Sequence, residues 1–329
     1  MSRYREQVAA ALRAVTIRGP VRYAWLGRTS RRLAGALEEA MDDAARDAYL
    51  VTSLGNELYS SFYCRGRPVP ARFGEPAPLA PDPGLAMALS DANAGCGSWQ
   101  GGWTVERIAD HEAVVASGVR ARVPVLDCRA PGDVRTGAAV DIRVPKEHLW
   151  LAPGFYTALS DAVVDVGSAR AVLRVYWNVT PAGAPALMRA LTTRLNASEV
   201  PFRLKIADHP FRLDRCDAAV LYLPGTSVEA VRATLLEVAA ELAPHVRPLI
   251  PAFTLGLAPG VGLAEHDGGA ESFGTRRCRL LADAIVRAHA VGVSQLERRV
   301  AVVAERFAED GIRIDAPYRE PSLSGRHVL

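Results

Sequence analysis

Two short segments in which apolar and polar residues alternate constrain the fold of this chain most strongly. They are residues 173–179 and residues 202–206. Because a period of two places successive side chains on opposite sides of a strand, each segment predicts a strand with one core face and one polar face. If both strands belong to one sheet, the polar face gathers two guanidinium groups, an amine, a phenol and an amide, which is typical of an anion site. Its residues are Arg174, Tyr176, Asn178, Arg203 and Lys205.

Lysine is rare in this chain, and Lys205 stands out for that reason. The sequence contains 39 lysine and arginine residues together, and only Lys146 and Lys205 are lysines. Arginine is effectively always charged, whereas a lysine becomes a base when its pKa is lowered. Lys205 is therefore a candidate base on the polar face. The competing interpretation is that coding bias and chance explain its presence.

The charge and cysteine content exclude several classes of protein. The formal net charge is +3 over 329 residues, without blocks of like charge, which argues against a dedicated nucleic-acid surface. The five cysteines are widely spaced and form no CxxC, so zinc-ribbon and thioredoxin-like motifs are excluded. Scattered thiols, the absence of a signal peptide and the absence of a membrane-length apolar run predict a cytoplasmic protein that binds no membrane.

The order of the predicted elements indicates an α+β protein. Residues 1–65 have apolar spacings of three and four, typical of packing helices, and residues 66–84 form a connection rich in proline and glycine. Residues 95–146 alternate in short runs, which predicts a small barrel or meander. Residues 151–167 are expected to form a loop and a helix.

The second half is predicted to be a mixed sheet packed with amphipathic helices. One helix begins at an N-cap, Thr226 or Ser227, and the tail after Asp315 is expected to fray. Two further helices are predicted in residues 278–292 and 294–311.

These elements divide into two predicted subdomains. Residues 1–150 form a helical and β subdomain, and residues 151–329 form a sheet-and-helix subdomain that carries most of the phosphate site. We expect the site in the cleft between them, since clefts between domains are common binding sites.

Residues 256–274 are interpreted as a glycine-rich loop that fails the common nucleotide motifs. Gly260 and Gly262 lack a third glycine at dinucleotide spacing, and the chain contains no GxxxxGK[ST]. Ser272 and the arginines at 276 and 277 are predicted to lie near a helix N-terminus, which favours phosphate. The alternative is that Ser272 only caps the helix and the arginines are solvated.

No metal-binding or nucleophile motif is present. None of the seven histidines belongs to HxxxH or HExxH, and GxSxG is absent. His209, just after Lys205, and His266, in the glycine-rich stretch, are candidate general acids or ordinary surface histidines.

Aromatic residues cluster in two places. Tyr59, Phe62 and Tyr63 follow a helical pattern and are expected to pack in the core. Trp99 and Trp103 stand at the entrance of the β region, where they either stack a ligand ring or, as we expect, occupy a core or rim position.

A series of ordered motifs resembles the HopA-type type III secretion effector family. In this sequence they read FYCRG at 62–66, LSDANAG at 89–95, PKE at 145–147, PGFY at 153–156, the long run at 175–206, DRCDAAVLYLP at 214–224, LAPGVGLAE at 257–265 and ESFGxxRC at 271–278. The resemblance covers most of residues 55–290. Arg276 departs from it, because many relatives carry histidine there, and if that histidine is an acid another group must replace it.

Actinobacterial members of this family look like the lyase of class V lanthipeptide and thioamitide biosynthesis. A separate kinase phosphorylates Ser or Thr of a precursor peptide, and the lyase eliminates the phosphate to give dehydroalanine or dehydrobutyrine. The resemblance therefore implies a phosphoserine/phosphothreonine lyase that needs no metal and no organic cofactor.

This elimination needs a base for the Cα proton, a group that stabilises the enolate-like oxygen and a clamp for the phosphate. Lys205 is the expected base and Lys146 the second charge, facing each other across the cleft. The candidate donors to the leaving oxygen are Tyr156, Tyr176 and His209. The candidate phosphate-binding residues are Arg174, Arg203, Arg215, Ser272 and Arg277.

The implied partners are the precursor peptide, with its leader and phosphorylated core, the kinase and a cyclase or decarboxylase. The leader is expected to bind near Trp99 and Trp103 or along a sheet edge, because edge strands accept extended peptides. Two other functions stay open: a non-catalytic phosphopeptide-binding adaptor for the kinase, and an effector-like protein that acts on a partner protein.

Overall fold

A computed structural model of the chain describes residues 2–31, 33–71, 79–118, 120–149, 151–162, 172–225, 228–267, 269 and 271–323. These residues form helices and three antiparallel sheets, which confirms the α+β class. The helices are α1 (Arg3–Ala14), α2 (Gly35–Ala40), α3 (Asp43–Ser61), α4 (Pro83–Ala92), α5 (Ala184–Ala197), α6 (Val228–Glu241), α7 (Phe273–Ala290) and α8 (Leu296–Glu309). None of the described helices is both long enough and apolar enough to span a bilayer.

The strands form a small N-terminal sheet, a five-stranded sheet and a seven-stranded central sheet. The first contains β1 (Val15–Gly19), β2 (Arg22–Trp25) and β3 (Arg28–Thr29). The second contains β4 (Ser98–Ala109), β5 (Glu112–Ala116), β6 (Arg120–Pro124), β7 (Cys128–Arg129) and β8 (Ala139–Val144). The third contains β9 (Glu147–His148), β10 (Phe155–Leu159), β11 (Val172–Trp177), β12 (Arg203–Ala207), β13 (Ala219–Pro224), β14 (Leu255–Ala258) and β15 (Val261–His266).

The central sheet contains both of the alternating segments. Its strand order is β14-β15-β11-β13-β12-β10-β9, so β11 and β12 share the sheet but β13 lies between them. Arg174 on β11 is opposite Tyr222 on β13, and Tyr222 is opposite Arg203 on β12. The predicted polar positions therefore lie on one face, separated by one strand.

Both faces of this sheet are packed against helices. One face, with Leu173, Val175 and Leu204, is completely buried in a core shared with α4, α5 and α6. The other face carries Tyr176 and Val220 into a second core formed with α1, α3, α7 and α8. The expectation of one core face and one polar face is thus only half correct, because helices also cover part of the polar face.

The second core combines elements from both ends of the chain. Helices α1 and α3 contribute Leu12 and Leu54, and helices α7 and α8 contribute Leu281 and Phe307. The division at residue 150 stays a prediction, since this core draws on both predicted subdomains.

Two segments within residues 1–160 differ from their predicted structure, and a third forms strands as predicted. Strands β4–β8 form the antiparallel strands predicted in 95–146, in the order β6-β5-β4-β8-β7 and not as a simple meander. Residues 15–29 form a three-stranded sheet and not a helix, because their β-branched and aromatic residues favour strands around the turn. Residues 155–159 form β10 where a loop and helix were predicted, and 163–171 lie outside the described residues.

The stretch interpreted as a glycine-rich loop contains the hairpin β14–β15. Its turn uses Gly260 at φ +72°, a conformation that favours glycine. A Cβ at Gly262 would lie 2.6 Å from the Thr254 hydroxyl oxygen, so this glycine permits close packing within a strand. The helix caps predicted at Thr226 and Ser227 lie outside the described residues.

The segment after Asp315 is packed as far as Leu323 and is not frayed. The amide of Glu265 donates to the Tyr318 carbonyl oxygen at 2.8 Å, and the amide of Glu320 donates to the Glu265 carboxylate at 3.0 Å. We name residues 316–323 the C-terminal strap. The expectation failed because these partners come from β15, which is distant in sequence.

Helix α7 packs closely on the end of α3 through a glycine. A Cβ built on Gly274 would lie 2.3 Å from the Tyr63 ring, a distance that real Cβ atoms do not reach. Tyr63 is 1% exposed and has no free space into which its ring can move. The Phe–Gly pair that begins α7 therefore fits against the Phe–Tyr pair that follows α3.

We predict that Gly274→Ala destabilises the protein by about 1–3 kcal/mol or more, because overpacking outweighs the higher helix propensity of alanine. The matched control is Gly35→Ala, also in a helix, where nothing lies within 4 Å of the new Cβ. Urea unfolding of both variants measures the difference. Equal stability of the two variants would contradict the packing argument.

Candidate functional site

The described surface of the central sheet carries three cations around one tyrosine. Arg174, Tyr222 and Arg203 form one row across three strands. Lys205 lies in the adjacent row, where it is opposite Val220. We name Arg174, Arg203, Lys205 and Tyr222 the cationic face.

The Tyr222 ring lies in the middle of these charges. The Arg203 guanidinium carbon is 4.5 Å from its centroid and that of Arg174 is 5.3 Å away. The Lys205 amine nitrogen is 5.6 Å from this centroid and 4.4 Å from that of Phe155. Aromatic rings attract cations through their quadrupole, so the two rings hold the charged groups near one another.

None of these three cations has a carboxylate partner among the described residues. In contrast, the loop after β12 contains Arg212, paired with Asp208 at 2.6 Å, and Arg215, paired with Asp217 at 2.7 Å. Arg203 is exposed, Arg174 and Lys205 are half-buried, and the buried Nε of Arg174 has no hydrogen-bond partner in the described structure. Because concentrated positive charge without a protein anion favours an external anion, the cationic face is the candidate anion site.

Aromatic residues form the wall beside the cationic face. Tyr176 contacts Tyr63 edge to face at 6.5 Å, and both lie beside Phe273 at 6.4 and 6.2 Å. Tyr59 stacks on Tyr63 at 5.3 Å. Tyr59, Phe62 and Tyr63 were expected to pack in the core, and Tyr63 and Phe62 are fully buried there.

The hydroxyl group of Tyr176 is buried between the side chains of Tyr63 and Arg174, without a hydrogen bond of good geometry to either. Burial raises the pKa of Tyr176, so the group stays protonated at neutral pH. It lies two residues after Arg174 on the same strand face, close to the cationic face. Its proximity to the Arg174 guanidinium makes this hydroxyl a candidate donor at the cationic face.

His266 lies on the other side of Arg174. It ends β15 and is opposite Val172, in the row next to Arg174. Burial and the nearby Arg174 charge lower the pKa of His266, so its ring is neutral at pH 7. Its Nε2 is 3.0 Å from the Glu271 carbonyl oxygen, which makes Nε2 the donor in this contact.

Lys146 and Tyr156 do not meet the cationic face. Tyr156 pairs with Ile206, so it points to the opposite side of the sheet from Lys205. Its hydroxyl donates to Glu147, and the Lys146 amine donates to the Ser90 carbonyl oxygen at 2.9 Å. The expected opposition of these residues across a cleft is wrong, because the period of two turns Tyr156 away.

Arg215 is held by a buried carboxylate. Its guanidinium donates twice to Asp217, at 2.7 Å each, and also to Cys64 and to the Tyr59 hydroxyl. Burial alone raises the pKa of Asp217, but Arg215, with a smaller contribution from Lys205, holds it below its usual value. Arg215 therefore supports the aromatic wall instead of presenting a free clamp.

Arg277 is fully buried and holds the C-terminal strap. Its guanidinium donates to the carbonyl oxygens of Pro317 and Arg319 at 3.1 and 2.8 Å and lies 3.6 Å from Glu320. Burial lowers its pKa to about 10. These contacts give Arg277 a structural role, and its predicted role as a phosphate clamp stays a prediction.

The N-terminus of α7 also differs from the predicted phosphate site. Ser272 caps the helix by accepting from the Thr275 amide at 3.2 Å, as in the simpler of the two interpretations. A cavity of about 240 Å³ opens there, and its three carboxylates outnumber its two arginines; the polar lining consists of His266, Asp267, Glu271, Arg276, Arg277 and Glu320. Because Arg276 is paired with Glu320 and with Asp310, the cavity does not favour phosphate.

The remaining predicted residues lie away from the cationic face. His209 caps a short turn, and its Nδ1 accepts from the Phe211 amide at 3.2 Å. The Asn178 amide donates to the Leu249 carbonyl oxygen at 2.9 Å and so leaves the polar face. Trp99 stacks with Arg129 at 4.6 Å on the five-stranded sheet, and Trp103 packs against the core of that sheet.

Sequence reasoning missed two residues on this face, Tyr222 and Thr157. Both are opposite predicted site residues, Tyr222 beside Arg203 and Thr157 beside Lys205. The period of two in 219–224 already indicated that Tyr222 and Val220 share a face. Whether Tyr222 and Thr157 lie near Lys205 depends on the order of the strands in the sheet, and the alternation of residues along one strand does not reveal that order. Among the described residues, no group of three or more His, Cys, Asp or Glu side chains is placed to hold a metal ion.

The similarity to known proteins agrees with the motifs. The model of the HopA1 effector protein family matches residues 147–319, more than half of the chain. The chain belongs to the HopA1 effector protein family. It is therefore effector-like by family, as the motifs predicted. The matched region contains the whole cationic face.

Two solved effector structures are similar to part of this chain. They are the effector proteins from Pseudomonas syringae pv. tomato strain DC3000 and from Pseudomonas syringae pv. syringae strain 61, at 19% and 20% sequence identity and TM-scores of 0.39 and 0.38. Each alignment covers 50% of this chain and 62% of the effector, less than two thirds of its length. No curated protein matches the chain.

We predict that inorganic phosphate binds the cationic face and raises the melting temperature with concentration. Arg174→Met and Arg203→Met should each weaken this binding roughly 10-fold or more, because each removes charged hydrogen bonds. Arg287→Met, on the far side of α7 and paired with Asp283, is the control and should bind like the wild type. Thermal shifts at constant ionic strength give the affinities. Unchanged binding in both face variants would rule out this site.

We also predict that Arg277→Met lowers the free energy of unfolding by about 3–5 kcal/mol, because it leaves Glu320 and two carbonyl oxygens buried without this partner. Arg279→Met, which removes a half-exposed ion pair with Glu271, should cost less than about 1 kcal/mol. Denaturant unfolding compares them. If Arg277→Met lowers the free energy of unfolding as little as the control does, Arg277 is free to bind a ligand and is a candidate phosphate-binding residue.

Proposed function

We propose that this protein is a lyase that eliminates phosphate from phosphoserine or phosphothreonine residues of a peptide. The observation that carries the proposal is the cationic face, where Arg174, Arg203 and Lys205 converge without a carboxylate partner among the described residues. Family membership and the motif resemblance add support.

The two guanidinium groups match the phosphate. A phosphorylated side chain carries a charge of about −1.5 to −2 at neutral pH, and Arg174 and Arg203 supply two permanent positive charges. Guanidinium groups bind phosphate oxygens in a bidentate manner, and Tyr222 keeps the two groups on either side of one ring. This clamp positions the Cβ–O bond of the substrate over the sheet.

Lys205 is the base in this proposal. Arginine does not lose its proton in proteins, so Lys205 is the one group of the cationic face whose nitrogen can accept a proton. The neutral amine takes the Cα proton, the C–H electron pair forms the Cα=Cβ double bond, and the Cβ–O bond breaks with its electrons on the phosphate. Positive charge from the guanidinium groups stabilises both the enolate-like oxygen and the leaving group.

Tyr176 is the proposed donor to the leaving oxygen. Its hydroxyl is protonated, buried and close to the Arg174 guanidinium, and the residue follows Arg174 on the same face. A donor that is already desolvated gains most when negative charge develops nearby. His209, Lys146, Tyr156, Arg215 and Arg277 have structural contacts instead and take no direct part in the proposed reaction.

The peptide substrate implies partners. We propose a precursor peptide whose Ser or Thr is phosphorylated by a separate kinase, followed by a cyclase or decarboxylase that uses the dehydrated product. The adaptor function stays as the second candidate, because the same unpaired cations would bind a phosphopeptide without chemistry.

We predict that incubation with a Ser/Thr-phosphorylated peptide releases phosphate and leaves a dehydroamino acid, seen by mass spectrometry as loss of phosphoric acid. Lys205→Met should lower kcat by roughly 10²–10⁴-fold, the usual contribution of a general base. Lys146→Met is the matched lysine control and should retain activity when folded, because its amine caps α4 on the opposite side. Circular dichroism and the melting temperature check both folds.

Each other outcome assigns a different function. Binding of the phosphopeptide without elimination supports the adaptor. Release of phosphate with return of the hydroxyl group indicates hydrolysis. If the protein neither binds the phosphopeptide nor releases phosphate from it, the phosphate proposal is ruled out. The remaining function is then an effector-like protein that acts on a partner.

A further inference from the structure

Thr157 is directly opposite the proposed base on the neighbouring strand. The β10–β12 register pairs Thr157 with Lys205, and directly opposite residues of antiparallel strands point to the same face. Their Cβ atoms are roughly 4.5–5.5 Å apart in such pairs. The Thr157 hydroxyl is therefore within reach of the Lys205 side chain.

The environment of this hydroxyl is unusual. Thr157 is 1% exposed, and its Oγ1 is buried without a hydrogen-bond partner among the described residues. An unsatisfied buried hydroxyl costs stability, and valine has the same shape and suits a strand. A threonine at this position therefore makes the folded protein less stable than a valine would. This cost points to a hydrogen-bond partner that reaches the hydroxyl only in another state of the protein.

The amine of Lys205 already lies on the side of β10. Its nitrogen is 4.4 Å from the Phe155 centroid, and Phe155 precedes Thr157 by two residues on the same face. The other charged or titratable groups around the Lys205–Thr157 pair come from four strands and the loop before β13: Arg203, Tyr222, Tyr176, His148 and the buried Asp217. Asp217 is bound to Arg215, so it is not the acceptor of the amine.

We propose that Thr157 is a positioning residue whose Oγ1 accepts a hydrogen bond from the Lys205 amine once that amine carries the substrate proton. The inference rests on the proposed function. The proton moves from Cα to the lysine nitrogen, and the resulting ammonium group then donates to Oγ1. The acceptor is neutral in this proposal, since no carboxylate of the described structure pairs with the Lys205 amine.

Thr157→Val tests this role, with Thr157→Ser as the conservative variant. Thr157→Val should lower kcat roughly 10- to 100-fold with little change in KM, since a hydrogen bond to a charged group is lost after binding. The rise of kcat with pH should move to lower pH, because the ammonium group loses an acceptor. Thr157→Ser keeps a hydroxyl group, so its kcat and the pH dependence of its kcat should match those of the wild type. His148, which pairs with Thr157 from β9, is unchanged in these variants.

Unfolding experiments separate this role from a structural one. Thr157→Val should be as stable as the wild type or more so, because it removes an unsatisfied buried hydroxyl. Loss of activity together with loss of stability would overturn the proposal. A kcat within twofold of the wild type in Thr157→Val would overturn it as well.

An NMR experiment tests the pair without relying on activity. The chain has only two lysines, so lysine labelled with ¹⁵N at the amine gives two side-chain signals, and Lys205→Arg assigns one of them. In Thr157→Val, the pH response of the Lys205 signal should move to lower pH, while that of Lys146 stays in place. An unchanged Lys205 response overturns the pairing. If the pH response of the Lys205 signal shifts but the protein eliminates no phosphate, the hydrogen bond between Lys205 and Thr157 is supported and the proposed lyase function is ruled out.

Discussion

The register of the central antiparallel sheet is the constraint on which the rest of this protein depends. It places Arg203, Tyr222 and Arg174 in one row over three strands, with Lys205 in the next. Like charges at this spacing repel one another, and no carboxylate of the described structure relieves them. The aromatic ring of Tyr222 offsets part of this repulsion, and an external anion would offset the remainder. The three cations can therefore lie together in the free protein, and they are most stable when an anion is bound to them.

Much of the remaining structure keeps this face in place. Gly274 and Tyr63 join α7 to the end of α3, Arg215 and Asp217 support the aromatic wall, and Arg277 holds the C-terminal strap behind it. These contacts explain why the motifs around residues 62–66, 214–217 and 271–278 occur together. Their side chains are buried and paired with one another, so they shape the site from outside. Arginine does much of this structural work because its planar group satisfies several acceptors at once.

Sequence predictions that needed only local periodicity agree with the structure better than those that needed a neighbour distant in sequence. The period of two predicted the faces of β11 and β12, and three of its polar residues, Arg174, Arg203 and Lys205, are on the candidate site. Arg277 has a favourable sequence position at a helix N-terminus, but the strap neutralises it. The glycines of 256–274 resembled a loop because composition does not show that they permit close packing within a hairpin.

By itself, the sequence determined the α+β class, the family and the faces of β11 and β12, because propensity, periodicity and motifs are local properties of the chain. Tertiary structure decided which strands are neighbours. That choice brought Tyr222 between the arginines, set Thr157 beside Lys205 and turned Tyr156 to the opposite side. The physical reason is that strand order is set by burial of both sheet faces against helices from distant parts of the chain. The pairing of charges depends on that burial, since an arginine is a ligand group only where no buried carboxylate or carbonyl oxygen reaches it first.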